Sequence, residues 1–341
     1  MEKRTISIEI YNKVISQIPK AIINMLPEEP IKLLPYAQRV KEISFSSDIK
    51  DDLKELMKKH LLSDEEYLKT FYYVMAITFY NKRKVENPEI AVVAAQTGSG
   101  KSNLTAKLLR KNENYIFVDS DKYKHFRYDA QEIAEKYPNE YPALTGPDGY
   151  DHADNIYRYA VENSYNIIKE TAPSANKGLL GIDVKDVLKY NYKITVHILA
   201  VGELNSLLST HERYELQIIY GLKTCKLTGI NRHDESYNSL IKNVEDIMKD
   251  NNVYSISIYK RGIKEEKYDP ILVYPTNKFN SPIDAIESVR LEDNEKTKNE
   301  FKERYDWIIK QMEKRDATSS QYNQIEKIRK RLNVWWMKKF Y

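Results

Sequence analysis

A single cysteine, Cys225, stands in a chain of 341 residues. One thiol cannot form an intramolecular disulfide, so no cystine framework holds the fold, and this usage suits a reducing cytosol. Glycine is also scarce: there are ten, and none precedes Gly98. Residues 1–88 must be built without the residue that best tolerates tight turns, which favours helices joined by proline-containing links. Long apolar runs are missing. Nothing reaches the roughly 18 residues a membrane-spanning helix needs, and the opening "MEKRTISIEIYNKVISQIPK" has no apolar signal segment. The cytoplasm is the expected location. Six scattered histidines and one cysteine suggest no transition-metal cluster. A surplus of one charge is absent too. The net charge is +4 over 54 basic and 50 acidic side chains, with no basic aromatic stripe, which counts against a nucleic-acid partner. With 41% apolar and 30% charged residues, the composition is that of a soluble globular protein.

What is present begins with helices. "DIKDDLKELMKKHLL" has apolar residues at helical spacing, and "SDEEYLKTFYYVMAITFYNKRK" opens on Ser63 with Glu66 three residues on, the pattern of a capping box. From Glu89 the rhythm changes. Apolar runs at 90–95, 115–121, 165–170, 194–201 and 253–260 alternate with helical segments, which predicts a parallel sheet covered on both faces. Two charged amphipathic segments close the chain, the last carrying Trp335 and Trp336. The expected organisation is a helical extension over 1–62, an α/β domain over 63–290 and a helical extension over 291–341.

The phrase "EIAVVAAQTGSGKSNLT" places Gly98-Ser99-Gly100-Lys101-Ser102-Asn103 between a buried strand and a helix. That is the context of a phosphate loop, in which backbone N–H groups curl around phosphates at a helix N-terminus. Lys101 would reach the β- and γ-phosphates of ATP or GTP, and the Ser102 hydroxyl would hold Mg²⁺. The first glycine of the usual G-x-x-x-x-G-K-[ST] pattern is Ala95 here, a change that adds only a methyl group. Five strands with such a loop after the first describe a P-loop kinase core.

Two further groups bear on phosphate transfer. "YIFVDSDKYK" sets Asp119 and Asp121 after the second strand, where a carboxylate could take a proton from an acceptor hydroxyl or help hold the metal; either could equally cap a helix. Asp121, further from the strand, is the base candidate. Arg213, in "STHERYELQIIYG", could swing over the phosphates and stabilise transferring charge, or could pair with Glu212 or Glu215 on its own helix.

In this order the phrases resemble the zeta-toxin family of bacterial P-loop kinases over roughly residues 63–265. "VDSDKYK" looks like the family's aspartate–x–aromatic–arginine phrase, with Lys124 where arginine is usual, and "YNIIKETAPS" like its strand ending in glutamate and threonine. "ILAVGELNSLLSTHERYE" is similar to the strand and lid stretch, "CKLTGINRHDESYNSLI" to a segment ending in His-Asp, and "IYKRG" to the close of the core. The resemblance implies ATP-dependent phosphorylation of a sugar hydroxyl, with UDP-N-acetylglucosamine as acceptor, and a helical antitoxin as partner. It implies that Lys101 and Ser102 bind phosphates and Mg²⁺, Asp121 is the base, Arg213 stabilises the transferring group, and Asp119, Lys124, Glu170 and Thr171 meet the acceptor.

The departures lie on the acceptor side. A second family arginine falls at Lys226, with Arg232 nearby. A His-Pro pair appears as Arg127-Tyr128, and the glutamate strand is one residue short, leaving Lys169 or Glu170 at the acidic position. Another small molecule or a nucleic-acid end as acceptor, or nucleotide binding without transfer, are the competing readings. Residues 1–60 are either a packing extension or a restraining, partner-docking element. The basic C-terminus either docks as a helix over its tryptophans or touches a partner or an anionic membrane.

Overall fold

The computed structural model describes residues 6–35, 49–138, 140–175, 178–222, 224–225, 227–262 and 269–337, without the side chains of 182–183 and 333–337. In chain order the helices are α1 (Ile8–Gln17), α2 (Lys20–Ile23), α3 (Asp51–Lys59), α4 (Asp64–Phe79), α5 (Lys101–Lys111), α6 (Ser120–Tyr123), α7 (Ala130–Lys136), α8 (Tyr141–Glu162), α9 (Ile182–Asp186), α10 (Glu203–Ile219), α11 (Ile230–Met248), α12 (Pro282–Lys314) and α13 (Ser319–Met337). The strands are β1 (Glu89–Ala94), β2 (Tyr115–Phe117), β3 (Asn166–Thr171), β4 (Lys193–Ala200), β5 (Val253–Lys260) and β6 (Ile271–Tyr274), in the sheet order β2-β3-β1-β4-β5-β6.

The fold is α/β with a mostly parallel sheet. β1 and β4 pair in parallel, as do β4 and β5, whereas β6 runs antiparallel to β5 with Ile271 opposite Lys260. This sixth strand is a difference from the five expected. The four-residue "ILVY" is too short to stand out from an apolar run in sequence. The strand expected over 115–121 stops at Phe117, because the Asp119 carboxylate turns back to accept from the N–H groups of Asp121 and Lys122 and starts α6.

Two compact units make up the chain. The first comprises residues 1–88 and 114–167, the second 89–113 and 168–341. In the first, α4 is fixed at its start by the Ser63–Glu66 capping box, and it buries Tyr67, Leu68, Phe71, Tyr72, Val74 and Met75. α1 is tied to it by the Lys13–Glu65 ion pair, and the Tyr72 hydroxyl donates to the Pro30 carbonyl at 3.0 Å. The second unit holds the phosphate loop. Its β1 and β4 are buried on both faces, as helices on either side of a parallel sheet require. There α12 and α13 pack Phe301, Ile308, Met312, Ile325 and Ile328 against Leu204, Leu207 and Leu208 of α10. No described helix is long and apolar enough to cross a membrane.

Candidate nucleotide and acceptor site

β1 ends at Ala94, and α5 begins at Lys101. Between them Gly98 and Gly100 adopt φ of +76° and +87°, conformations that L side chains rarely enter. Ala95 needs no positive φ, so its methyl group causes no strain, and its carbonyl accepts from the Lys101 ammonium at 3.2 Å. The loop is strapped from behind. Buried Gln96 donates to the Val201 carbonyl at 2.7 Å, and the Thr97 N–H donates to the Ser236 hydroxyl at 3.2 Å.

Around Lys101 the second unit gathers charge from three elements. Burial pushes the Lys101 ammonium below its ordinary range, the Glu170 carboxylate opposes that, and the neighbouring cations Arg213 and Arg232 add to it. Such crowding of cations costs free energy unless an anion enters. Arg213 sits on α10 and donates to Thr228 at 3.3 Å, with its own basicity lowered by burial. Neither carboxylate beside it in sequence competes: Glu212 pairs with Arg304 and Glu215 with Arg315, each through two guanidinium nitrogens. The pairing with Glu212 or Glu215 open to Arg213 in the sequence is therefore not made, and its guanidinium bonds to Thr228 instead. Ser102 and Asn103, in the first turn of α5, are exposed. An exposed hydroxyl at this position fits Mg²⁺, which takes one or two protein oxygens and fills its shell with phosphate and water.

Strand alternation separates the residues at the end of β3. Lys169 and Thr171 line a cavity of about 580 Å³ together with Ser174, Arg232 and Glu235. Glu170, on the other face, accepts from Thr105 of α5 at 2.6 Å. Thr171 thus faces the cavity, and Glu170 lies beside the phosphate-loop helix. Arg232 pairs with Glu235 at 2.8 Å, and Glu235 also accepts from Ser174 at 3.1 Å.

Behind the loop, Ser206 Oγ meets His233 Nε2 at 2.7 Å, His233 Nδ1 meets Asp234 at 3.2 Å, and Arg331 grips Asp234 at 2.6 and 2.8 Å. The order serine–histidine–aspartate is that of a nucleophilic triad. Ser206 and His233 are fully buried, however, so no substrate reaches them, and the chain of bonds supports the loop.

In the first unit, Asp119 is engaged as the N-cap of α6. Asp121 projects from that helix with a side chain 84% exposed, and its carboxylate accepts from the buried Lys124 at 2.6 Å. Lys124 lies over the Tyr150 ring and against Gly149, where an added Cβ would come within 2.8 Å of Lys124 Cγ. Arg127 is a buried structural residue, paired with Asp129 and Asp148 and donating to the His60 carbonyl at 2.6 Å.

A search of family models matches residues 74–275 to one family, Zeta toxin. The chain belongs to the zeta toxin family. Curated relatives are the zeta toxins of Enterococcus hirae and Streptococcus pyogenes, each 26% identical over 186 residues. Each match spans 54% of this chain and 64% of the relative. Among solved structures, a chain of the PezAT chromosomal toxin–antitoxin system of Streptococcus pneumoniae superposes on 73% of this chain and 99% of its own length. Its TM-score is 0.59 at 16% identity, a likeness of fold.

This zeta-family chain therefore brings Gly98, Ser99, Gly100, Lys101, Ser102, Asn103, Glu170, Thr171 and Arg213 together within the second unit. Asp119, Asp121 and Lys124 belong to the first. Lys226 lies outside the described residues, as do the side chains of Trp335 and Trp336. Among the described residues no cluster of three or more His, Cys, Asp or Glu could hold a metal. Sequence reasoning gave no role to Arg261, whose guanidinium lies against the phosphate loop. Its one signal was position, directly after an apolar strand-like run in "IYKRG".

Proposed function

We propose that the protein is an ATP-dependent kinase of the zeta type, transferring the γ-phosphate to a hydroxyl of a nucleotide sugar, with UDP-N-acetylglucosamine as the leading acceptor. The observation that carries this reading is the cation cluster Lys101–Arg213–Arg232 at a phosphate loop, beside a 580 Å³ cavity in the same unit. Lys169 and Arg232, set against the one carboxylate of Glu235, give that cavity a net positive charge suited to the diphosphate of a nucleotide sugar, and Thr171 and Ser174 offer hydroxyls for sugar oxygens.

In the proposed reaction Asp121 takes the proton of the acceptor hydroxyl. The oxygen forms a bond to the γ-phosphorus as the bond to the β-phosphate oxygen breaks, and ADP leaves. Lys101 and Arg213 hold the equatorial oxygens, where charge accumulates during transfer. Ser102 would hold Mg²⁺, which supplies further neutralisation of phosphate charge when bound. A toxin role inside the cell, restrained by a helical antitoxin, goes with this reading.

Incubation with ATP labelled on the γ-phosphate and a panel of nucleotide sugars tests it. Label is expected on UDP-N-acetylglucosamine, lost in Lys101→Ala and in Asp121→Asn, while Asp121→Asn keeps ATP binding. Label on a different compound would move the acceptor, and near-normal turnover in Asp121→Asn would remove the base assignment.

A further inference from the structure

A phosphate loop turns successive N–H groups inward, so its carbonyls turn outward and need donors of their own. Here one side chain serves two of them. Arg261, the residue after β5, sends Nε to the Ser99 carbonyl at 2.7 Å and Nη2 to the Gly98 carbonyl. Its remaining nitrogen, Nη1, donates to Asn205 Oδ1 at 2.8 Å and to Ser209 Oγ at 3.1 Å, both on α10.

Those two acceptors are shared with α12. Arg304 Nη1 reaches Asn205 Oδ1 at 2.9 Å, and Arg304 Nη2 reaches Ser209 Oγ at 3.1 Å. Glu212 anchors Arg304 at 2.6 and 2.7 Å, and the Asp293 carboxylate holds the Asn205 amide at 2.9 and 3.0 Å. Asp293 and Arg304 lie beyond residue 275, where the family match ends.

We propose that Arg261 is a positioning residue for nucleotide binding, one that fixes the Gly98 and Ser99 carbonyls, and that Asp293 and Arg304 of α12 hold it in place through Asn205 and Ser209. The inference rests on the loop's being the nucleotide site. Each clasped carbonyl shares its peptide with the next N–H, so a guanidinium on the oxygen polarises the N–H groups of Ser99 and Gly100. Burial lowers the Arg261 pKa to about 10, which leaves the group charged at neutral pH. Lysine could not substitute, because a point charge with three donors cannot span two carbonyls and an amide in one plane.

Calorimetric titration of ATP into the full chain decides the matter, with melting temperature followed in parallel. Arg261→Ala is expected to weaken ATP binding at least about ten-fold, as loss of charge-assisted hydrogen bonds implies. Added guanidinium ion should restore part of that affinity, a rescue that a general packing defect would not show. Arg261→Lys should remain clearly weaker than wild type, and Arg304→Met should weaken binding by about three-fold, a loss of under 1 kcal/mol. Wild-type affinity in a folded Arg261→Ala or Arg261→Lys would overturn the inference. If Arg261→Ala does not fold, Arg261→Lys decides for Arg261 in the same way, and full affinity in Arg304→Met would overturn the part given to α12. Wild-type protein that binds no ATP would overturn the nucleotide site itself, and this inference with it.

Discussion

The two positive-φ glycines of the phosphate loop have unequal surroundings. A Cβ on Gly98 would lie 2.1 Å from the Ser206 carbonyl oxygen, whereas one on Gly100 would meet nothing closer than 3.7 Å. Gly100→Ala therefore carries only the backbone cost of a left-handed residue, roughly 1–2 kcal/mol. Gly98→Ala forces the loop away from α10 and should abolish ATP binding as well as lower stability. Comparing ATP affinity in the two variants checks this; equal effects would show that the contact with Ser206 does not hold the loop. At this scale the loop's conformation was legible in the sequence, Ala95 included, because backbone conformation and helix N-terminus follow from neighbouring residues. Glu170 and Thr171, adjacent in sequence, were assigned one role together. Their separation onto two faces became clear only with β3 in place, flanked by α5 on one side and the cavity on the other.

Among the elements, α12 and α13 lock onto α10 and α11 by arginines. Arg304 takes Glu212, Arg315 takes Glu215, and Arg331 takes Glu203 and Asp234. Glu215 is the most buried of these acids, its side chain only 2% exposed. Removing its partner leaves a carboxylate stranded in a low-dielectric setting, so Arg315→Met should destabilise the protein by about 3 kcal/mol in urea unfolding. The double variant Arg315→Met with Glu215→Gln should recover much of that loss. A single-variant effect below about 1 kcal/mol would mean the pair is solvated. The two C-terminal helices were legible from their apolar spacing. Their partners were not, since pairs about a hundred residues apart leave no local pattern.

For the whole molecule, burial makes stability depend on pH. Desolvation pushes His197 and His211 down to about 4, and lowers His233 despite its Asp234 partner. The unfolded chain takes up protons on these imidazoles near pH 6.5, before the folded chain does. Their contribution is thus complete above about 6.5 and is lost as pH falls toward 4, at up to about 1.4 kcal/mol per pH unit for each histidine. The urea midpoint should fall steadily from pH 7 to pH 5, and His211→Gln should flatten that slope. An unchanged slope would show that His211 titrates alike in both states.

By itself the sequence determined the α/β class, the phosphate loop, the lysine and serine it offers, and the family. Each of these is written in local order: a strand, a glycine turn, a helix, repeated apolar spacing. Tertiary structure alone decided which carboxylates would occupy which arginines. It gave Glu212 to Arg304 and Glu215 to Arg315, leaving Arg213 bonded to Thr228, and it set Arg261 against the phosphate loop. Ion pairing in a folded chain depends on distance in space, and no run of adjacent residues records that.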